Sequence, residues 1–116
     1  MTINITSRHA DISDTQKTHV HAKLAAVLEP YPEVEYAHVI MDTQKFRHII
    51  EVVVQGKHHL RMEAKEESDN MYVSVDKVVD KVDHQLRRLR DKVVDHKSGK
   101  HRTKLTDFEQ ELKQQV

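Results

Sequence analysis

Cysteine is absent from this chain, which excludes disulfide frameworks, thiol nucleophiles and cysteine-ligated zinc. Tryptophan is absent too, and three tyrosines and two phenylalanines make up the whole aromatic content. The core must therefore be aliphatic, and a base-stacking platform of the RRM or OB type has little to stand on. Glycine and proline occur only twice each, which leaves most of the chain for regular elements joined by short turns. No stretch approaches the ~20 apolar residues of a membrane span, and the opening MTINITSRHADIS lacks the apolar segment of a signal peptide. A soluble cytoplasmic protein is expected. Neither sign of charge is in excess, because 19 Lys and Arg balance 19 Asp and Glu. A nonspecific nucleic-acid coat would be basic overall, so any RNA binding must use charge sorted locally. Ten histidines make that balance sensitive to mild acid.

At 116 residues there is room for one domain and a short tail. Residues 2–8 read as a strand, with Ile3 and Ile5 on one face and Asn4 and Thr6 on the other. Ser13-Asp14-Thr15-Gln16 forms a capping box. The helix it opens carries Val20, Leu24, Val27 and Leu28 on one side, and Pro30 and Pro32 end it. Glu33–Met41 reads as a strand with apolar groups on both faces, so its facing stays open. Phe46–Gln55 has the β-branched content of a central strand, and Gly56-Lys57 is the expected tight turn. His58–Glu66 alternates, with Leu60, Met62 and Ala64 inward. Ser68 or Asp69 is expected to cap a second helix, whose stripe of Val75, Val79, Val82, Leu86, Leu89 and Val93 runs at steps of four and three.

The order β-α-β-β-β-α predicts an α+β two-layer sandwich, a four-stranded sheet with both helices on one face and the other face left to water. Residues 1–97 are expected to form the domain. The 98–116 segment opens with Ser98-Gly99, continues through basic Lys100–Lys104 and carries only Leu105, Phe108 and Leu112; it reads as a flexible tail.

Projected at 100° per residue, Lys77, Lys81, His84, Arg88 and Lys92 fall within roughly 80° of the second helix, with Gln85 at the edge. Long cations along one rigid line suit RNA phosphates. A charged outer helix face is also what plain solvation produces, and Asp80–His84, Asp83–Arg87 and Arg87–Asp91 have the spacing of helix-stabilising pairs. Lys77–Lys81 and Arg88–Lys92 have the spacing of repulsions, which an anionic partner would relieve. The first helix offers Lys17 and Lys23.

Catalysis is not expected. His19 and His21 diverge on a helix, and His58 and His59 on a strand would face opposite ways. No glycine-rich phosphate loop or nucleophile elbow is present, and neither a cofactor nor a metal is called for.

Residues 69–92, DNMYVSVDKVVDKVDHQLRRLRDK, and 3–13, INITSRHADIS, resemble the hibernation-promoting-factor and ribosome-associated-inhibitor family, formerly called sigma-54 modulation proteins. The matching positions include Asp69, Met71, Tyr72, Asp76, Asp80, Lys81, Gln85, Leu86, Arg88, Arg90 and Lys92, and the resemblance spans about residues 1–95. It implies a fold related to double-stranded-RNA-binding domains and a non-enzymatic role. That role is ribosome hibernation: occupation of the small subunit near the decoding site, competing with mRNA and tRNA under stress or in stationary phase. It nominates Lys81, His84, Arg88, Arg90 and Lys92 on the second helix, and Lys17 and Lys23 on the first, as contacts to ribosomal RNA; Lys77 and Gln85 join them from the helical projection. The free protein is expected to be a monomer. Ala26 stands where relatives often carry Lys, and His84 where Arg is common. Both lower the fixed positive charge, and a histidine at 84 in place of Arg implies binding that tightens in mild acid. The tail resembles the inhibitor-type extension along the messenger path, and a ribosome-pairing domain has no room after residue 98. The rival readings are a duplex-RNA-binding module acting off the ribosome and a protein-interaction adaptor docking through the open sheet face or the tail.

Overall fold

Helix α1 (Asp14–Leu28) begins where the capping box predicts. The Ser13 hydroxyl accepts from the Gln16 N–H at 3.1 Å, and the Gln16 side chain accepts from the Ser13 N–H at 3.3 Å. These bonds satisfy two backbone donors that a helix start leaves open. The computed structural model describes residues 1–9 and 11–97, with 92–97 as helical backbone. The remaining elements are β1 (Thr2–Arg8), β2 (Val34–Gln44), β3 (Arg47–Gly56), β4 (Arg61–Ser68) and α2 (Met71–Lys97). The expected 98–116 tail lies outside the described residues.

The four strands form one sheet in the order β1-β2-β3-β4, with β1 parallel to β2 and the other pairs antiparallel. Both helices pack on one face, so the two-layer α+β sandwich expected from the element order is the observed fold. Its core joins Val20, Leu24 and Leu28 of α1 to Met71, Val75, Val78, Val79, Val82 and Leu86 of α2. Beneath them lie Val39 and Met41 of β2, Ile50, Val52 and Val54 of β3, and Met62 and Ala64 of β4. Burying each such Val, Leu or Ile side chain stabilises the fold by roughly 1.5–3 kcal/mol before chain entropy is counted. Ile3, Ile5 and Leu89 pack at the margin.

The facing of β2, open in sequence because both faces carry apolar groups, is fixed by burial of Ala37, Val39 and Met41, and a bulge breaks the period before them. Val34 pairs with Gly56 and Tyr36 with Gln55, leaving Glu35 extra. Val34 and Ala37, three apart, are consequently both buried. Glycine is required at 56 for closeness rather than for a turn, since a Cβ there would collide with the Glu33 carbonyl. That carbonyl accepts the Lys57 N–H at 2.8 Å.

Two boundary expectations are corrected. The reversal between β3 and β4 falls on residues 57–60, one step later than a Gly56-Lys57 turn, and β4 begins at Arg61. His58 and His59 occupy that turn with φ of 59° and 63°, so they are not strand residues on opposite faces. The second helix is capped by Asn70, whose Oδ1 accepts the Tyr72 N–H at 2.9 Å. Ser68 is buried instead, bonded at 2.7 Å to Ser74 Oγ, which also donates to the His48 carbonyl at 2.7 Å. This chain of hydroxyls ties the first turns of α2 to the ends of β3 and β4.

Candidate nucleic-acid interface

α2 lies over β3 and β4 with α1 beside it, so it presents two flanks to solvent, one above the β4 edge and one toward α1. At 100° per residue, Lys77, Lys81, His84 and Arg88 recur on the first flank. Lys77 and His84 are exposed, and Lys81 and Arg88 are half-buried. Lys81 identifies the flank: its Nζ lies 3.1 Å from Glu66 Oε2 and 3.4 Å from the Lys65 carbonyl, both on β4. The backbone of Lys92 continues the line; its side chain lies outside the described residues. From residue 77 to 92 this line runs roughly 22 Å at 1.5 Å per residue. β4 is an edge strand, so nothing among the described residues stands beyond it.

The α1 flank is neutralised internally. Asp76 faces Lys23 Nζ at 3.4 Å and His19 Nε2 at 3.6 Å, and the His19 ring meets Tyr72 edge-on at 5.1 Å. Asp83 pairs with Arg87 at 3.2 Å, the one of the three expected i, i+4 pairs that forms. The Arg90 guanidinium lies 4.4 Å from the centre of the Tyr31 ring and donates to the Pro30 carbonyl at 3.0 Å. Asp83, Arg87, Arg90, Pro30 and Tyr31 wall an open cleft of about 540 Å³ that also includes Val27 and Asp91.

The nominated residues therefore separate. Lys77, Lys81, His84 and Arg88 share one flank. Lys23 and Arg90 lie on the other, each engaged with a partner that helps hold α1 and its following loop to α2. Lys17 is on the far side of α1 beside Ile5 and His21. Gln85 leaves the surface set altogether: it is 1% exposed, and its Nε2 donates to the Glu63 carbonyl at 3.4 Å. Its Oε1 is buried without a partner. Helical projection put it at the rim of the basic sector, but the rim there is covered by β4. Arg61 and Lys65 are exposed cations on the same edge strand, but they alternate with the core residues Met62 and Ala64 and so lie on the sheet face turned away from the helices.

Residues 3–94 match the family described as sigma 54 modulation protein / S30EA ribosomal protein. The chain belongs to that family. Among similar members, the ribosome hibernation promoting factor of Pseudomonas putida is 28% identical over 95 residues, covering 79% of this chain and 89% of that protein. Its counterpart in Salmonella typhimurium is 27% identical over 99 residues, covering 83% of this chain and 100% of that one. A solved ribosomal subunit interface protein from Coxiella burnetii superposes with a TM-score of 0.73 at 27% identity, covering 78% of this chain and 99% of that chain. The N-terminal domain of Thermus thermophilus Protein Y gives a TM-score of 0.68 at 25% identity, covering 77% and 99%. The α+β sandwich described above is thus the family fold, and the family is one of non-enzymatic proteins.

Proposed function

We propose that this chain is a ribosome hibernation factor that occupies the small subunit near the decoding site, excluding mRNA and tRNA, when growth stops. The reading places the protein in the cytoplasm and makes residues 1–97 the ribosome-binding unit, monomeric when free. Its support is the family membership together with the names of the relatives: hibernation promoting factors and a ribosomal subunit interface protein. The single observation that carries it is the line of Lys77, Lys81, His84 and Arg88 along the open flank of α2 in a chain whose net charge is zero. A rigid row of cations neutralises successive phosphates and releases their counterions. Lys92 extends the row by position; Lys17, Lys23 and Arg90 are second-rank contacts, displaced from it by the fold.

The test is cosedimentation of purified protein with small subunits across a salt series, with and without initiator tRNA. With about four phosphate contacts, log affinity should fall with log salt at a slope near −3.6, a loss of about 150-fold between 50 and 200 mM. Charge reversal at Lys77, Lys81 and Arg88 should abolish binding and leave thermal unfolding nearly unchanged. Retained binding and translation arrest in that variant would overturn the reading. Equal affinity for naked duplex RNA would point instead to an RNA-binding module acting off the ribosome.

A further inference from the structure

The most exposed large apolar side chain among the described residues is Phe46, 87% accessible at the tip of the β2–β3 hairpin. The ladder closes with Gln44 opposite Arg47, so Lys45 and Phe46 form a two-residue loop. Lys45 takes a φ of 56°, a conformation that glycine or asparagine ordinarily supplies in such loops. The turn is thus built from a strained lysine and a phenylalanine that contributes nothing to the core, a local rule broken without a gain in folding. In a chain with two phenylalanines, the one in the described residues is held out to solvent between Lys45 and Arg47.

We propose that this tip is a second RNA contact, in which Phe46 stacks on one unpaired base while Lys45 and Arg47 face the phosphates on either side. The proposal rests on the RNA-binding reading above and adds to it a contact of different chemistry. Three features support it. A lone aromatic flanked by cations is the local composition of a base-stacking contact, since every base offers a π-face and every nucleotide a charge. Arg47 is only loosely held, 3.5 Å from Glu67 with both side chains half exposed, so its guanidinium is open to exchange toward an anion. The tip also stands at the same end of the molecule as the start of the cationic line. His48, one residue beyond the loop's closing pair, accepts the Ser74 hydroxyl from the first turn of α2, and Lys77 follows three residues later. A strand of RNA tracking the α2 flank would leave it near the hairpin.

The experiment uses the full chain and purified small subunits. Phe46→Ala should weaken binding about five- to 150-fold, the worth of one stacked base, with an unchanged salt slope and unchanged unfolding temperature. Phe46→Trp should keep the affinity and introduce the sole indole of the chain, whose fluorescence should be quenched on mixing, as stacking on a base requires. Phe46→Ala binding like the parent while reversal of Lys77, Lys81 and Arg88 abolishes binding would overturn the hairpin contact and leave the proposed function standing. An indole emission that brightens and shifts to the blue would also overturn it, by placing the tip in an apolar protein pocket. Failure of the unmodified protein to cosediment would defeat both.

Discussion

The two flanks of α2 carry similar charged residues and put them to opposite uses. Toward α1, charges find partners: Asp76 takes Lys23 and His19, Asp83 takes Arg87, and Arg90 settles on Tyr31 and the Pro30 carbonyl. Toward β4, Lys77 and His84 project from the surface, and Lys81 reaches down to Glu66 at the sheet edge. The difference teaches that a count of cations does not locate an interface. A cation in a groove between two elements is surrounded by groups that can answer it, whereas one above an edge strand faces water and whatever replaces water. Exposed pairs of the first kind stabilise a protein by only about 0–1 kcal/mol each, so the α1 flank should tolerate loss of its charges better than its crowded appearance implies.

Exchanging the flanks in turn gives the largest expected effect. Neutralising Lys77, Lys81 and Arg88 to Gln should reduce the salt slope of small-subunit binding by about 2.7 and cost more than about a hundredfold in affinity at 200 mM salt. Neutralising Lys23, Arg87 and Arg90 to Gln should change affinity by less than about tenfold, with a loss of stability on the order of 1 kcal/mol. Equal losses from the two triple variants would erase the distinction and make the whole outer surface of α2 the interface. A smaller effect tests what fixes the rotation of the helix, and hence which residues fall on which flank. Ser74→Ala leaves the His48 carbonyl and the Ser68 hydroxyl without their buried partner. It should cost about 1–3 kcal/mol, seen as a fall in unfolding temperature of several degrees. An unchanged transition would mean that apolar packing alone sets the helix in place.

Much of this arrangement is legible in the sequence. The stripe of Val75, Val79, Val82 and Leu86 repeats at helical spacing because one side of α2 must be buried, and such repetition survives in sequence. The Ser13 capping box is local chemistry and is equally readable. What escaped the sequence was set by neighbours distant along the chain. Glu35 bulges because Gly56 lets the backbone approach Glu33, and no period within β2 announces that. Gln85 projects to the margin of a basic sector and is nevertheless buried, because β4 happens to lie under that margin. Lys17 and Lys23 sit six residues apart on α1, and only the position of α2 shows that one faces Asp76 and the other does not. Phe46 reads in sequence as the start of a strand, since an aromatic beside β-branched residues ordinarily belongs to one, but β3 begins at Arg47.

The smallest effect is the most specific to the comparison, because each flank carries a histidine in a different setting. His19 lies 3.6 Å from Asp76, with Lys23 on the same carboxylate and the Tyr72 ring at its edge. His84 is exposed among Lys77, Lys81 and Arg88, with Asp80 one turn earlier and no bond between them. A cation fixed at position 19 would be answered within the protein by Asp76. One fixed at position 84 adds to an outward-facing row that a bound phosphate would answer. His84→Arg should accordingly raise affinity for small subunits about three- to tenfold, the worth of roughly one more phosphate contact, while His19→Arg should change it by less than about twofold. A gain that follows position 19 instead would move the interface into the groove between the helices.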